Sequence, residues 1–463
     1  MSMYIVIVPV LFLIIISICK KIPLIGGRLL AAFFGAGILA MVFGGVYNPV
    51  QWINPWIDGL NRVAFIIWIV IFGSFFSMLQ IETGAMQTVL NVLRALFGHT
   101  PQGLVLAVLL ALYMGGSMLG TVAAVGAVIG MLIVPALDDM GLSPELICAT
   151  IVTGGSMGAI MPPISNAVNV AAGIIGIDPM PVIQISYITV GIGLVFISLF
   201  FCKVYIGKRY SMPAHLIPQE SAAAILKREW KTLIPLAVLI VIIMINSIPT
   251  IAFDIPGWLL KQIPFGEGNF YQAFKKIKIV GTLTNNIVLS LLISIAVSYV
   301  MYPKLRVNAF EKLLKAFRNV QGSVMIQIAA GFFLGAFTVG GQLDVIAAWA
   351  AGLNATLLKM GGSASLVLAG MIMGAQSTSQ TLLTPIIGPS WIAAGVTPVH
   401  AAVASAHLAA AGQGLPPADL NTFVIAGLVA SILQKKVDPL KSMYYTTVYC
   451  IYLFIVGVLF LYI

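Results

Sequence analysis

Hydroxyl and amide side chains collect at two places where glycine and proline interrupt long apolar runs. Ser117, Thr121, Thr153, Ser156, Ser165 and Asn166 belong to the first; Gln376, Ser377, Thr378, Ser379, Gln380, Thr381, Gln413, Asp419 and Asn421 belong to the second. Their oxygens, with backbone carbonyls freed by the breaks, are hard ligands, suited to an alkali cation and unsuited to a transition metal such as Zn2+. The free N–H groups and partial positive charge at a half-helix N-terminus suit an anion instead. No Lys or Arg lies between Arg94 and Lys203, or between Lys359 and Lys435. An anion bound here must be held by helix ends, hydroxyls and a co-bound cation, which predicts obligatory cation coupling.

Two ionisable residues sit inside these stretches. Asp419 is the only acidic residue between Lys359 and Lys435. Intramembrane carboxylates are usually functional, and the residues leave open whether Asp419 caps a half-helix or contacts an ion. His407 lies on an apolar helix and is expected to be a structural histidine, not a proton relay.

The elements that must carry these residues are repeated. Adding 254 to Gly120, Pro135, Gly141, Pro144, Gly158, Pro162 and Pro163 lands on Gly374, Pro389, Gly395, Pro398, Gly412, Pro416 and Pro417. With 45 Gly and 24 Pro in 463 residues, seven coincidences at one ungapped offset point to a duplication. Upstream, at offset 257, Phe75-Phe76 meets Phe332-Phe333 and Gly84 meets Gly341. Helix breaks at membrane depth must be buried or line a wet cavity, because free backbone groups cannot face lipid. Gly158, Pro162, Pro163, Pro416 and Pro417 are the expected breaks.

The bulk composition fixes the class. The chain is 60% hydrophobic and 8% charged, with mean hydropathy +1.06. Apolar runs of spanning length recur throughout, so a polytopic α-helical membrane protein in the lipid bilayer is expected; strands alternating as in a barrel are not found. The net charge of +10 is expected to be cytoplasmic-loop charge, not a nucleic-acid surface. Cys19, Cys148, Cys202 and Cys450 have no metal-ligand spacing and are expected to be buried free thiols.

In order, residues 1–206 form the first repeat, with a hairpin at about 101–137 and a broken helix at about 145–177. Residues 207–232 form a cytoplasmic linker. Residues 233–463 form the second repeat, with a hairpin at about 362–394 and a broken helix at about 399–433. Length favours hairpins over paired full spans. Residues 47–62 are expected to be a loop with Trp52 and Trp56 at the interface, and 81–98 an amphipathic arm. A span is expected at 279–300, Gly115-Gly116 at the first hairpin tip, and Gly361-Gly362 in a loop. Charge placement starts the first repeat outside and ends it inside, and does the reverse for the second. The halves are thus inverted, the plan of many secondary transporters.

At these residues the chain resembles the large membrane subunit of tripartite ATP-independent periplasmic (TRAP) transporters, within the ion-transporter superfamily. The resemblance rests on GVTPVHAAV at 395–403, PPADLNTFVIAG at 416–427, LGTVAAVGAVIGMLIVPAL at 119–137, MGAIMPPISNAVNVAAG at 157–173 and MYPKLRVNAFEKLLKAF at 301–317. It implies an elevator-type carrier, with a scaffold domain and a transport domain built from both hairpins and both broken helices. It also implies a bacterial inner-membrane location, a small membrane subunit and a periplasmic substrate-binding protein as partners, and a carboxylate such as a C4-dicarboxylate or a sugar acid as cargo. Carried over by position, Na+ sites fall at Gly116, Ser117 and Thr121 with Thr153, Gly155 and Ser156, and at Ser377, Thr378 and Ser379 with Gly412, Gln413 and Gly414. Ser165, Asn166, Gln376, Gln380, Asp419 and Asn421 are left as the expected substrate contacts. No cofactor beyond the coupling ion is expected.

The function expected from all this is Na+-coupled import of a small organic anion. The alternatives are a self-sufficient carrier of the same superfamily and, less favoured, an ion channel. An intramembrane enzyme is disfavoured because there is no HExxH and no acidic pair inside a span.

Overall fold

The computed structural model describes residues 3–463 apart from 20, 26, 121, 163, 248–252, 267 and 418. Thr121 and Pro163, two residues expected at the breaks, lie outside the described residues. Among those described, eight helices are long and apolar enough to cross a membrane. The protein is an all-α polytopic membrane protein.

The chain opens with α1 (Tyr4–Ile18), α2 (Leu29–Phe43), the long α3 (Ile53–Thr83) and the amphipathic α4 (Ala85–Phe97). Next come α5 (Pro101–Leu119), α6 (Val122–Val125), a π-helical turn (Gly126–Gly130) and α7 (Met131–Asp139). They are followed by α8 (Pro144–Ile160), α9 (Asn166–Ile175) and α10 (Pro179–Phe200), which runs into a second π-helical stretch, Phe201–Ile206. After α11 (Ala222–Ser247) a connection holds α12 (Ile255–Lys261), a β-hairpin pairing Pro264 with Asn269, and α13 (Phe270–Lys275). Then come α14 (Asn286–Met301), α15 (Ala309–Val339), α16 (Gln342–Ala351), α17 (Ala355–Met373) and α18 (Gln376–Ala393). The last three are α19 (Pro398–Gly414), α20 (Leu420–Leu433) and α21 (Pro439–Leu459).

Local chemistry explains where the site-bearing helices begin and end. Thr100, Ser143 and Thr397 each precede a proline and accept a backbone N–H three residues on: Gly103 at 3.1 Å, Leu146 at 3.3 Å and His400 at 3.2 Å. A capping hydroxyl followed by proline, whose missing N–H is not needed there, is a strong start signal. The ends are set by Gly120 and Gly374, at φ +67° and +61°, a region that residues with a side chain avoid. Gly120 N–H still reaches Gly116 O and Gly374 N–H reaches Gly370 O.

Close packing then assembles the frame. A Cβ on Gly59 would strike Gly331 O, and one on Gly335 would strike Pro55 O. Ser74 Oγ donates to Ala316 O at 3.0 Å, and Lys312 pairs with Glu82 at 2.7 Å. These pairings run in opposite senses along the chain, so α3 and α15 are antiparallel, pressed together at glycines as membrane helices often are. By contrast, α5 and α8 run parallel: Leu112 lies at Gly154 and Gly116 at Gly158. Their counterparts α17 and α19 meet at Gly370 and Gly412.

Several expectations need correcting. Gly361-Gly362 is not in a loop but in α17, where Gly362 packs on Trp391. Gly115-Gly116 is not the tip of the first hairpin; it lies in the last turns of α5, and the chain turns at Gly120. The reason is steric: Gly116 is needed for helix packing, and only Gly120 takes the left-handed conformation. Residues 53–62 are helix, not loop, because α3 starts at Ile53. The span expected at 279–300 begins only at Asn286, after a 3-10 stretch at Val280–Thr284. The linker interval 207–232 is helical from Ala222 onward. Cys19 is exposed and Cys202 half-buried; Cys148 and Cys450 are buried, and all four are free. Among the described residues Pro101–Met118, Val122–Asp139 and Ala355–Met373 are each long and apolar enough to span, whereas Gln376–Ala393 is not, so length alone does not decide between hairpins and paired spans.

Candidate functional site

Four helices begin at one place. Val122 opens α6, Asn166 opens α9, Gln376 opens α18 and Leu420 opens α20. All four residues line a single cavity of about 240 Å³, together with Gly120, Gly374, Ser156, Gln413 and Ser323. Each helix start carries backbone N–H groups without intrahelical partners and a partial positive charge. Four of them converging on one cavity give its lining a partial positive charge, although the first N–H groups of α18 and α20 are already bonded to Gln413 Oε1 and Gly374 O. No Lys or Arg lines that cavity. A larger cavity of about 660 Å³ lies elsewhere, between the start of α10 and the connection before α14, and holds none of these residues.

Crossed packing brings the helix starts together. Gln380 on α18 donates from Nε2 to Ala167 O on α9 at 2.8 Å. On the other side, Ile425 of α20 packs at Gly126, and Lys435 beyond α20 pairs with Asp138 at 2.6 Å. Each second half-helix therefore packs on the hairpin-shaped pair from the other half of the chain. Leu420 N–H donates to Gly374 O at 3.2 Å, tying the start of α20 to the end of α17. Gln376 N–H donates to Gln413 Oε1 at 2.8 Å, tying α18 to the end of α19.

Of the expected cation residues, Ser156, Ser377 and Gln413 line the cavity. Thr153 is fully buried behind Ser156 on α8. Thr153 Oγ1 and Ser156 Oγ are both buried without a hydrogen bond of good geometry, and the Tyr449 hydroxyl lies close enough to Ser156 to interact with it. Buried polar groups normally find a partner, so these oxygens fit a bound hard cation. The second set is different. Ser379 Oγ donates to Gln376 O at 2.9 Å, and Ser377 O is taken by Thr381 Oγ1 at 2.6 Å. Ser117 is also engaged, donating to Met114 O at 3.1 Å. Thr378 is buried in α18. Gly116, Gly155 and Gly412 are packing positions, and Gly414 abuts the Tyr449 hydroxyl. Among the described residues no three His, Cys, Asp or Glu side chains form a metal-ligating group.

Of the expected substrate contacts, Asn166, Gln376 and Asn421 line the cavity; Ser165, Gln380 and Asp419 do not. Ser165 caps α9, accepting from Val168 N–H at 3.3 Å. Gln380 is a buried cross-link, with Ser405 Oγ as a further acceptor at 3.3 Å. Asp419 is fully buried and caps α20: it accepts from Asn421 N–H at 3.0 Å and from Thr422 Oγ1 at 2.5 Å. The capping reading holds for this residue. His407 is structural as expected, with Nδ1 at Val403 O, 2.8 Å, and Nε2 at Thr189 Oγ1, 2.9 Å.

Two residues went unflagged by sequence reasoning. Ser323 comes from α15, and no break or repeat signal marks it; 257 residues earlier stands Ile66. Tyr449 comes from α21, in an ordinary apolar span.

A family model described as the DctM component of tripartite ATP-independent periplasmic transporters matches residues 5–463. No curated protein matches the chain. Among solved structures, the chain is similar to the YdaH transporter of Alcanivorax borkumensis, with a TM-score of 0.63 over 94% of this chain and 96% of that one. The identity is 14%, so the likeness is one of fold.

Proposed function

The chain belongs to the family of the DctM component, the large membrane subunit of tripartite ATP-independent periplasmic transporters, and from that premise we propose that its cargo is held where the four half-helices begin. The protein is a multi-pass membrane transporter, not an enzyme, and serves secondary transport of a small organic anion, a carboxylate. Membership implies ion coupling in general, and association with a small membrane subunit and a periplasmic binding protein.

The observation that carries the site is the convergence of residues 122, 166, 376 and 420 on one cavity without a cationic side chain. A carboxylate there exchanges hydration for backbone N–H groups. Asn166, Gln376 and Asn421 are the side chains that read its shape. Na+ is the coupling ion, held first at Thr153 and Ser156. A cation at that set raises the local positive potential, so anion and cation bind better together than apart.

The two halves act as inverted repeats with re-entrant hairpins. What supports this is the level of the breaks. Because α5 and α8 run parallel and meet at Gly116 and Gly158, α5 stops where α8 stops. Beyond that level α9 adds 10 residues, about 15 Å of helix. A hairpin whose tip ends partway along a spanning pair is re-entrant in form. The hairpin pairs and broken helices move as a transport domain against a scaffold that includes α3 and α15. Residues 1–206 and 233–463 are the two repeats, joined by 207–232.

The test is uptake of labelled C4-dicarboxylates and sugar acids into vesicles containing the chain with its partner subunits. Carboxylate uptake driven by an inward Na+ gradient is expected. Uptake indifferent to Na+, or selective for neutral or cationic solutes, overturns the reading.

A further inference from the structure

The cavity at the four helix starts does not end there. A second chamber of about 150 Å³ shares Gly120, Asn166 and Ser323 with it and continues between α3 and α15. One wall of that chamber is a single face of α15: Asn319, Gly322 and Ser323, at spacings of three and four. Asn319 and Gly322 are exposed and Ser323 is half-buried. A Cβ placed on Gly322 would meet nothing within 4 Å, so this glycine leaves space where others in the protein make helix contacts. The opposite wall carries Gly73 and Ser74 of α3, and Ser74 is tied back to Ala316 O.

The direction of the chamber follows from charge. It runs toward the start of α15, where Lys304, Arg306, Lys312, Lys315 and Arg318 stand. Such a cluster marks the cytoplasmic side. From Ser323 to Asn319 is four residues, about 6 Å of helix. An anion released from the helix starts passes Ser323, then the gap at Gly322, then Asn319, and reaches a basic surface that attracts it.

We infer that Asn319, Gly322 and Ser323 line the path by which the carried anion leaves toward the cytoplasm, with Ser323 as the scaffold's contact to the anion at the branch between the two chambers. This rests on the anion site proposed above. Ser323 is the one residue of α15 that lines both chambers, so a change there alters handling of the cargo without touching the helix starts.

Two measurements on the full chain test it. Gly322→Cys is treated with a negatively charged, membrane-impermeant thiol reagent in right-side-out and inside-out vesicles, and the peptide containing residue 322 is weighed. Modification about tenfold faster from the cytoplasmic face is expected, a barrier difference of about 1.4 kcal/mol. Equal rates, faster reaction from the other face, or no reaction from either aqueous side overturns the path. In the second measurement, Gly322→Trp fills the gap and is expected to lower carboxylate uptake about tenfold or more, with thermal stability unchanged; uptake at the parent's rate overturns the path. If that variant does not fold, the cysteine result decides. If the parent takes up no carboxylate while Gly322→Cys still reacts only from the cytoplasm, the anion site fails and the vestibule stands.

Discussion

Gly116 and Gly158 meet backbone to backbone: a Cβ on Gly116 would come within 2.7 Å of the Gly158 Cα. The pair 254 residues on, Gly370 and Gly412, meets in the same way, at 2.8 Å. Each contact locks the arm that ends at a cavity-lining glycine to the half-helix that ends at the neighbouring break. The two contacts thereby set the relative height of the four helix starts. Gly116→Val and Gly370→Val are expected to destabilise the protein by roughly 1–3 kcal/mol or more, because backbone atoms, unlike flexible side chains, cannot yield. Gly427→Ala, where a Cβ meets nothing within 4 Å, is expected to stay within about 0.5 kcal/mol of the parent. Thermal unfolding of the purified variants checks both.

The two sets proposed for the cation differ in their hydrogen bonding. Thr153 Oγ1 and Ser156 Oγ are buried without a hydrogen bond of good geometry, whereas Ser379 Oγ already donates to Gln376 O. Thr153→Ala and Ser156→Ala are expected to raise the Na+ concentration needed for half-maximal uptake by about tenfold, the loss of roughly 1.4 kcal/mol of ion binding. Ser379→Ala is expected to shift it less. Uptake titrated against Na+ measures this, and equal shifts for all three substitutions would remove the distinction.

Asp419 separates capping from ion contact. The carboxylate accepts from Asn421 N–H and Thr422 Oγ1. Asp419→Asn keeps an acceptor for the first of these, and Asp419→Ala keeps none. The alanine variant is expected to lose about 1 kcal/mol of stability, and the asparagine variant to lose less while keeping its Na+ dependence. A large change in Na+ dependence in the asparagine variant would restore an ionic role.

Gln413 accepts the first N–H of α18 and lines the cavity. Gln413→Glu keeps that acceptor but adds negative charge beside the site. Carboxylate affinity is expected to fall by about tenfold or more, at least 1.4 kcal/mol, because a like charge near a desolvated anion is only partly screened. Gln413→Ala is expected to weaken affinity less. Equilibrium binding of the carboxylate that the uptake screen identifies gives both values.

Much of the site could be read from residues alone. The Gly–Pro repeat located both breaks, because backbone breakers have few substitutes where a helix must stop. The absence of Lys and Arg pointed to recognition by helix ends. Gln380 shows the limit of such reading. Its position and type suit a substrate contact, and its Nε2 is bonded to Ala167 O in the other half and Ser405 Oγ in its own, while its Oε1 is buried without a partner. Gly361-Gly362 shows a failure for secondary structure. Two glycines read as a loop, but both lie in α17, where Gly362 is buried against Trp391.

By itself, the sequence determined the class of protein, the recurrence of Gly and Pro at one offset and the polar residues available at the breaks. Those are local facts, set by hydropathy and by the few residues that can start or stop a helix. Only the tertiary structure decided which of those residues share a cavity, that Ser323 from a distant helix joins them, and that Tyr449 lies beside Ser156. It also decided that α9 packs on α18 and α20 on α7, so that each half completes the other. Such juxtapositions depend on which side chains fit across helices hundreds of residues apart. Packing of that kind leaves no mark on the spacing of residues along the chain.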